Sequence, residues 1–208
     1  MSEIRAYDET RRTNAQAIVD AMFLGWVESP CVDLTFGLGR FWRYARPETL
    51  VRCDLDPERA LDVCCDFRFT PFASGSFATV VFDPPYKLNG TGGSTSSDAD
   101  YGVADRWDDR RDLYADGMAE AARICRPGGT VLVKGQTQIA CGRIHSFERH
   151  AIPLGERHQL RPIGILAVVS NGQPQPKGRP QRSPRNNTSA LIAFRTPVRR
   201  RLTAGAAA

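Results

Sequence analysis

Near the N-terminus, apolar positions recur at three- and four-residue steps. Ala15, Ile18, Val19, Met22, Phe23 and Trp26 predict an amphipathic helix over residues 8–27. The pattern then changes to short runs rich in β-branched residues. These predict strands at 31–36, 50–55, 61–65, 77–82, 130–135, 163–170 and 189–195. The clearest helical stretch is 108–125. It stops at Arg126-Pro127-Gly128-Gly129, where proline cannot extend a helix and glycine supplies the turn. Strands alternating with helices predict an α/β protein with a parallel sheet covered on both faces. The last two strands are joined by a proline- and arginine-rich stretch without helical pattern, which suits an antiparallel pair at one sheet edge. The expected fold is a Rossmann-like, seven-stranded, mostly parallel sheet with an antiparallel last strand.

A length of 208 residues suits one domain with a full core, expected over 1–198 and followed by a flexible basic and alanine-rich tail at 199–208. No apolar run approaches the ~20 residues that span a bilayer. The N-terminus is charged and lacks the apolar core of a signal peptide, so a cytoplasmic protein without a membrane partner is expected. Six cysteines, at 31, 53, 64, 65, 125 and 141, form no C-x-x-C pair and read as buried thiols. His145, His150 and His158 lack ligand spacing, and no metal is expected.

Charge adds a partner to this picture. The net charge is +5, but from Arg157 onward there are ten basic residues and no Asp or Glu, while the preceding 156 residues balance at −5. A basic end on an acidic body suits a polyanion. Lys177, Arg179, Arg182 and Arg185 lie two or three residues apart among prolines and are candidates for phosphate contact.

The run Cys31-Val32-Asp33-Leu34-Thr35-Phe36-Gly37-Leu38-Gly39 is a strand entering a glycine turn, where open α/β sheets bind ligands. A dinucleotide fingerprint would place glycine at position 42, but Trp42 stands there. Asp54 closes the next strand, where a carboxylate can accept hydrogen bonds from ribose hydroxyls. Asp66-Phe67 closes the third, within reach of an adenine amino group and ring. Each acid alone is an ordinary turn residue. The ordered series at successive strand ends is a cofactor-type arrangement.

The strand 77–82 ends in Asp83-Pro84-Pro85-Tyr86. Two prolines forbid helix and remove two backbone donors, leaving carbonyls in a fixed extended shape. That shape suits an exocyclic amine with two N–H donors, one for Asp83 and one for the Pro84 carbonyl. Pinning both hydrogens favours a more tetrahedral nitrogen, whose lone pair can attack an electrophilic methyl group. Tyr86 offers a face for a base that has left its duplex. Lys87 is positioned to meet a phosphate, and 89–100, rich in Gly and Ser, is a loop directly after the motif. Lys134 and Gln136-Thr137-Gln138 end a strand at the same edge, where they either touch cofactor or nucleic acid or cap the strand.

These motifs together resemble the amino-methyltransferases of DNA, the N6-adenine and N4-cytosine enzymes, and in particular small stand-alone phage-type DNA methylases. The resemblance covers DLTFGLGRFW, FDPPYKLNGTGG, RPGGTVLVKGQTQ and QPKGRPQRSPRNN, with DPPY as the specific element. It implies the methyltransferase variant of the Rossmann-like sheet and S-adenosyl-L-methionine as cofactor. It further implies that Phe36, Gly37 and Gly39 shape the methionine pocket, and Asp33 and Thr35 in the same turn are expected among the cofactor-binding residues. Asp54 would hold the ribose, Asp66 and Phe67 the adenine, and Asp83 to Tyr86 the target base. The motif order is gamma-like. Thr35 stands where many methyltransferases have a first glycine, and no separate target-recognition domain follows. DNA is the expected partner, ahead of RNA. An RNA base methyltransferase (adenine, or guanine N2), a non-catalytic nucleic-acid-binding protein of the same fold, and a small-molecule amine methyltransferase are the alternatives.

Overall fold

A computed structural model describes residues 13–84, 107–140, 143–169 and 188–198. Thr13 opens the first helix, α1 (Asn14–Phe23), with a reciprocal cap. Its hydroxyl accepts the Gln16 N–H at 3.2 Å, and the Gln16 side chain accepts the Thr13 N–H at 3.1 Å. The helix ends at Leu24, and the Trp26 N–H returns to the Ala21 carbonyl. Its buried face is Ala15, Ala17, Ile18 and Ala21, whereas Val19 and Phe23 are exposed. The stripe is thus rotated from the expected one, because small alanines let the helix approach its neighbours closely.

All seven expected strands form. They are β1 (Cys31–Asp33), β2 (Leu50–Asp54), β3 (Val63–Cys64), β4 (Phe77–Phe82), β5 (Cys125–Gln136), β8 (Arg161–Val169) and β9 (Thr188–Arg195). Their order across the sheet is β3-β2-β1-β4-β5-β9-β8. The first five pair in parallel; β9 runs antiparallel to both β5 and β8. Three strands are shorter than expected, β2 by a single residue and β1 and β3 by more. Leu61, expected in β3, is exposed, and β1 gives way early to a turn that keeps two ladder-like bonds, Leu34 N–H to Val81 and Phe36 N–H to Cys53.

The expected long helix forms as α2 (Trp107–Ile124). Two features go beyond the expected elements. A hairpin, β6 (Gln138–Ala140) with β7 (Arg143–His145), follows β5 directly. Then comes α3 (Phe147–Arg157), capped by the Ser146 hydroxyl and containing Pro153.

Side-chain alternation divides the core. Val80 and Phe82 of β4 and Val131 and Val133 of β5 face α2 and α3; Val81 and Leu132 face α1 and the turn Arg40–Trp42. Because both faces are covered, β4 is buried along its whole length. Close approach fixes α2: a Cβ at Gly117 would run into the Phe82 ring. Phe82 also meets Phe67 and Tyr114 edge-on, at 4.9 and 5.9 Å between centroids. The residue before Asp83 is therefore held between α2 and Phe67. No helix among the described residues is long and apolar enough to cross a membrane.

Candidate active site

The carboxyl ends of β1, β2 and β4 bring together most of the described residues singled out above. Beneath the glycine turn, the Asp33 carboxylate accepts the Thr35 N–H at 3.0 Å and the Trp42 indole N–H at 2.7 Å. The Trp42 that excludes a dinucleotide fingerprint is thus a strut. Burial pushes the Asp33 carboxyl up from 3.8 to about 7, against the pull of these two donors.

Gly37 and Gly39 have φ of 55° and 65°, a region that side chains disfavour. A Cβ at Gly39 would lie 2.8 Å from the Phe36 ring, so the turn folds over that ring with no room for a side chain. Asp54 holds the turn from the second strand, accepting the Gly37 N–H at 2.7 Å and the Asp56 N–H at 3.0 Å. Asp66 is engaged by Arg68 through its backbone N–H at 2.9 Å and its guanidinium at 2.6 Å. That guanidinium holds the Asp66 carboxyl below its usual range. Phe67 packs on Phe82 instead of standing free. Glu120 of α2 ties down the segment after Phe67, accepting both the Thr70 N–H and its hydroxyl.

Asp83 is arranged differently. Its backbone N–H donates to the Thr35 hydroxyl at 2.8 Å. Its Oδ1 is sealed from solvent and has no hydrogen-bond partner among the described residues, although the residue as a whole is only half-buried. Burial raises the affinity of this carboxyl for a proton, and the positive charge of Lys134 pulls the other way. Lys134 is buried in β5, one residue beyond the Phe82–Val133 pair of the ladder. Pro84 is buried beside Asp83. Pro85, Tyr86, Lys87, Lys177, Arg179, Arg182 and Arg185, the loop 89–100 and the tail 199–208 lie outside the described residues.

The arrangement fits a cofactor with an apolar turn to rest on and a nucleoside end near carboxylates. At Gly39 the space of a side chain is already filled by the Phe36 ring, which fixes the path of the turn.

No protein-family model matches the chain, and no curated protein does. Solved structures do match. The N-methyltransferase NodS from Bradyrhizobium japonicum has 13% identity and a TM-score of 0.56, with 88% of this chain and 94% of that one covered. A SAM-dependent methyltransferase from Thermotoga maritima has 12% identity and a TM-score of 0.55, with 88% and 89% covered. A candidate DNA modification methylase from Thermus thermophilus has 16% identity and a TM-score of 0.44, with 64% of this chain covered; this chain spans 50% of its length.

The fold is that of the Rossmann-like class I methyltransferases.

Within this class I fold, three further contacts belong to the site's frame and go beyond the sequence expectations. Arg68 engages Asp66, and its signal was the two-residue spacing in Asp66-Phe67-Arg68. Trp42 supports Asp33 from a short 3-10 turn that periodicity does not mark. Thr137, at the end of β5, accepts the Phe147 N–H at 3.0 Å and donates to Glu148 at 3.1 Å; the Ser146 hydroxyl reaches the same carboxylate oxygen at 3.2 Å. This latch closes the base of the β6–β7 hairpin. Of the roles weighed for Thr137, the described contacts are those of a strand cap.

Proposed function

We propose that this chain is an S-adenosylmethionine-dependent methyltransferase that modifies an exocyclic amino group of a base in nucleic acid, with DNA as the substrate class. The observation that carries the reading is Asp83 Oδ1. A buried acceptor without a partner costs roughly 1–3 kcal/mol, and a strained or unsatisfied group in a binding crevice is the expected mark of function. An amine N–H is the partner this oxygen lacks. The fold supports the cofactor, and the DPPY motif supports the amine. The basic segment 177–185 supports a polyanion, and the resemblance to stand-alone DNA methylases supports DNA.

In this reading S-adenosylmethionine supplies an electrophilic methyl group on sulfonium. Asp83 accepts one amine N–H and the Pro84 carbonyl the other, which localises the nitrogen lone pair. Transfer of that methyl group to the nitrogen, with sulfur as the leaving group, would leave the nitrogen a proton to lose. Asp83 is suited to take it, because burial raises its proton affinity. Asp54 and Asp66 are assigned to the ribose and adenine, and Phe36, Gly37 and Gly39 to the methionine end. Tyr86 is assigned to the base, and Lys87, Lys177, Arg179, Arg182 and Arg185 to phosphates.

The test is incubation of the full chain with methyl-labelled cofactor and separate DNA and RNA pools, followed by mass-spectrometric identification of nucleosides. The expected products are N6-methyladenine or N4-methylcytosine from DNA. Label confined to RNA would move the substrate class, and label in neither pool would overturn the nucleic-acid reading.

A further inference from the structure

Thr35 is the contact between the two halves of the site. Its N–H donates to Asp33 Oδ1 at 3.0 Å, and its hydroxyl oxygen accepts the Asp83 N–H at 2.8 Å across 48 residues of sequence. β1 and β4 are parallel neighbours, with Asp33 in register with Val81. The last backbone bond between them is Leu34 N–H to the Val81 carbonyl at 3.0 Å. Beyond that bond the chains part, and the Thr35 side chain supplies the next rung.

The position of that rung matters. Pro84 and Pro85 have no N–H, so Asp83 carries the last backbone donor of the strand before Tyr86. The Asp83 Oδ1 atom has no partner among the described residues, so no described contact holds that oxygen directly. Its aim depends on how the Asp83 backbone is held, and Thr35 holds it. A glycine at position 35 could continue the cofactor turn but could not make this bond.

We propose that Thr35 is a positioning residue. Its hydroxyl fixes the Asp83 backbone so that the carboxylate points at the incoming amine, tying amine alignment to the cofactor turn. The inference rests on the reading of Asp83 as the amine acceptor. Misplacement of a reacting group by ~1 Å costs ~10²-fold in rate, so loss of this anchor acts on turnover and leaves cofactor binding in place.

The experiment compares Thr35→Val, which keeps the branched shape without the acceptor, with Thr35→Ser, which keeps the acceptor. Three quantities are measured on the full chain: cofactor affinity by calorimetry, kcat on the DNA that the wild type methylates, and hydrogen exchange at the Asp83 amide by NMR. For Thr35→Val, kcat should fall ~10²-fold with affinity within about twofold, and exchange at Asp83 should rise at least ~10-fold, the loss of one protecting bond. Thr35→Ser should restore both kcat and protection. Should Thr35→Val fail to fold, Thr35→Ala makes the same comparison.

Wild-type kcat in Thr35→Val, equal losses in the Val and Ser variants, or a loss confined to cofactor affinity would each overturn the positioning role. Asp83→Ala separates the two claims. If it retains turnover, the amine-acceptor reading fails; if it is dead while Thr35→Val turns over normally, only the positioning role fails. The exchange measurement needs no substrate, so unchanged protection in Thr35→Val would overturn the anchor whatever the chain methylates.

Discussion

Among the described residues, four carboxylates stand at or just beyond the carboxyl ends of the parallel strands, and three of them are engaged by the protein itself. Asp33 takes the Thr35 amide and the Trp42 indole, Asp54 takes two backbone amides, and Asp66 takes Arg68. Asp83 presents a sealed oxygen with no partner among the described residues. Under the proposed function, the first three acids build the shape of the cofactor side and the fourth is kept available on the chemistry side. The contrast shows that acidic character alone does not mark a reactive group; what marks it is the difference between the bonds an acid can make and the bonds it has.

The sharpest way to break this comparison is Asp83→Ala. Methyl transfer should fall ~10²-fold or more, the usual cost of losing a transition-state hydrogen bond. Cofactor affinity measured by calorimetry should stay near wild type. Comparable losses in both would place Asp83 on the cofactor side with the other three.

Asp54→Ala should reverse the pattern. The loss of charge-assisted bonds, worth roughly 1.5–3 kcal/mol, should weaken cofactor binding about tenfold or more. Thermal stability should also fall, because the Gly37 and Asp56 amides lose their acceptor. Unchanged affinity would confine Asp54 to building the turn.

The smallest effect is one of pH. The Asp33 carboxyl titrates at about 7 in the folded chain against an ordinary 3.8, so the folded state holds this proton more tightly than the unfolded one. The resulting stability is fully present below about pH 4 and is lost as pH rises through about 7. Burial pushes Asp83 in the same direction. Melting temperature should therefore decline across that window, and Asp33→Asn should flatten the decline. An equal decline in the variant would assign it to other groups.

Much of the architecture is legible in the sequence because parallel strands covered on both faces read as apolar runs. Phe77–Phe82 is the clearest, and its expected and observed bounds coincide. The glycine turn and the DPPY motif are legible because glycine and proline act on the backbone directly. α3 is not, since Pro153 sits within it and breaks the helical pattern. The phase of α1 differs from the expected one because its buried face is alanine-rich, while the larger Val19 and Phe23 face outward. The acids divide in the same way. Their places at strand ends can be read, but their engagement with the chain's own donors depends on tertiary contacts such as Trp42 to Asp33. Position alone puts Thr35 in the cofactor turn, and its bond to Asp83 spans two strands that only the fold brings together.

The latch formed by Thr137, Ser146 and Glu148 has an evolutionary consequence. It joins the end of β5 to the start of α3 independently of what lies between them. The eight residues from Gln138 to His145 therefore form a cassette on a closed stem. Such a cassette can be lengthened, shortened or exchanged while the strand and helix on either side keep their places. β5 runs three residues past the Phe82–Val133 pair before the cassette begins, so such an exchange leaves the ladder beside Asp83 in place. A lineage could thus vary this stretch while inheriting the strand frame unaltered.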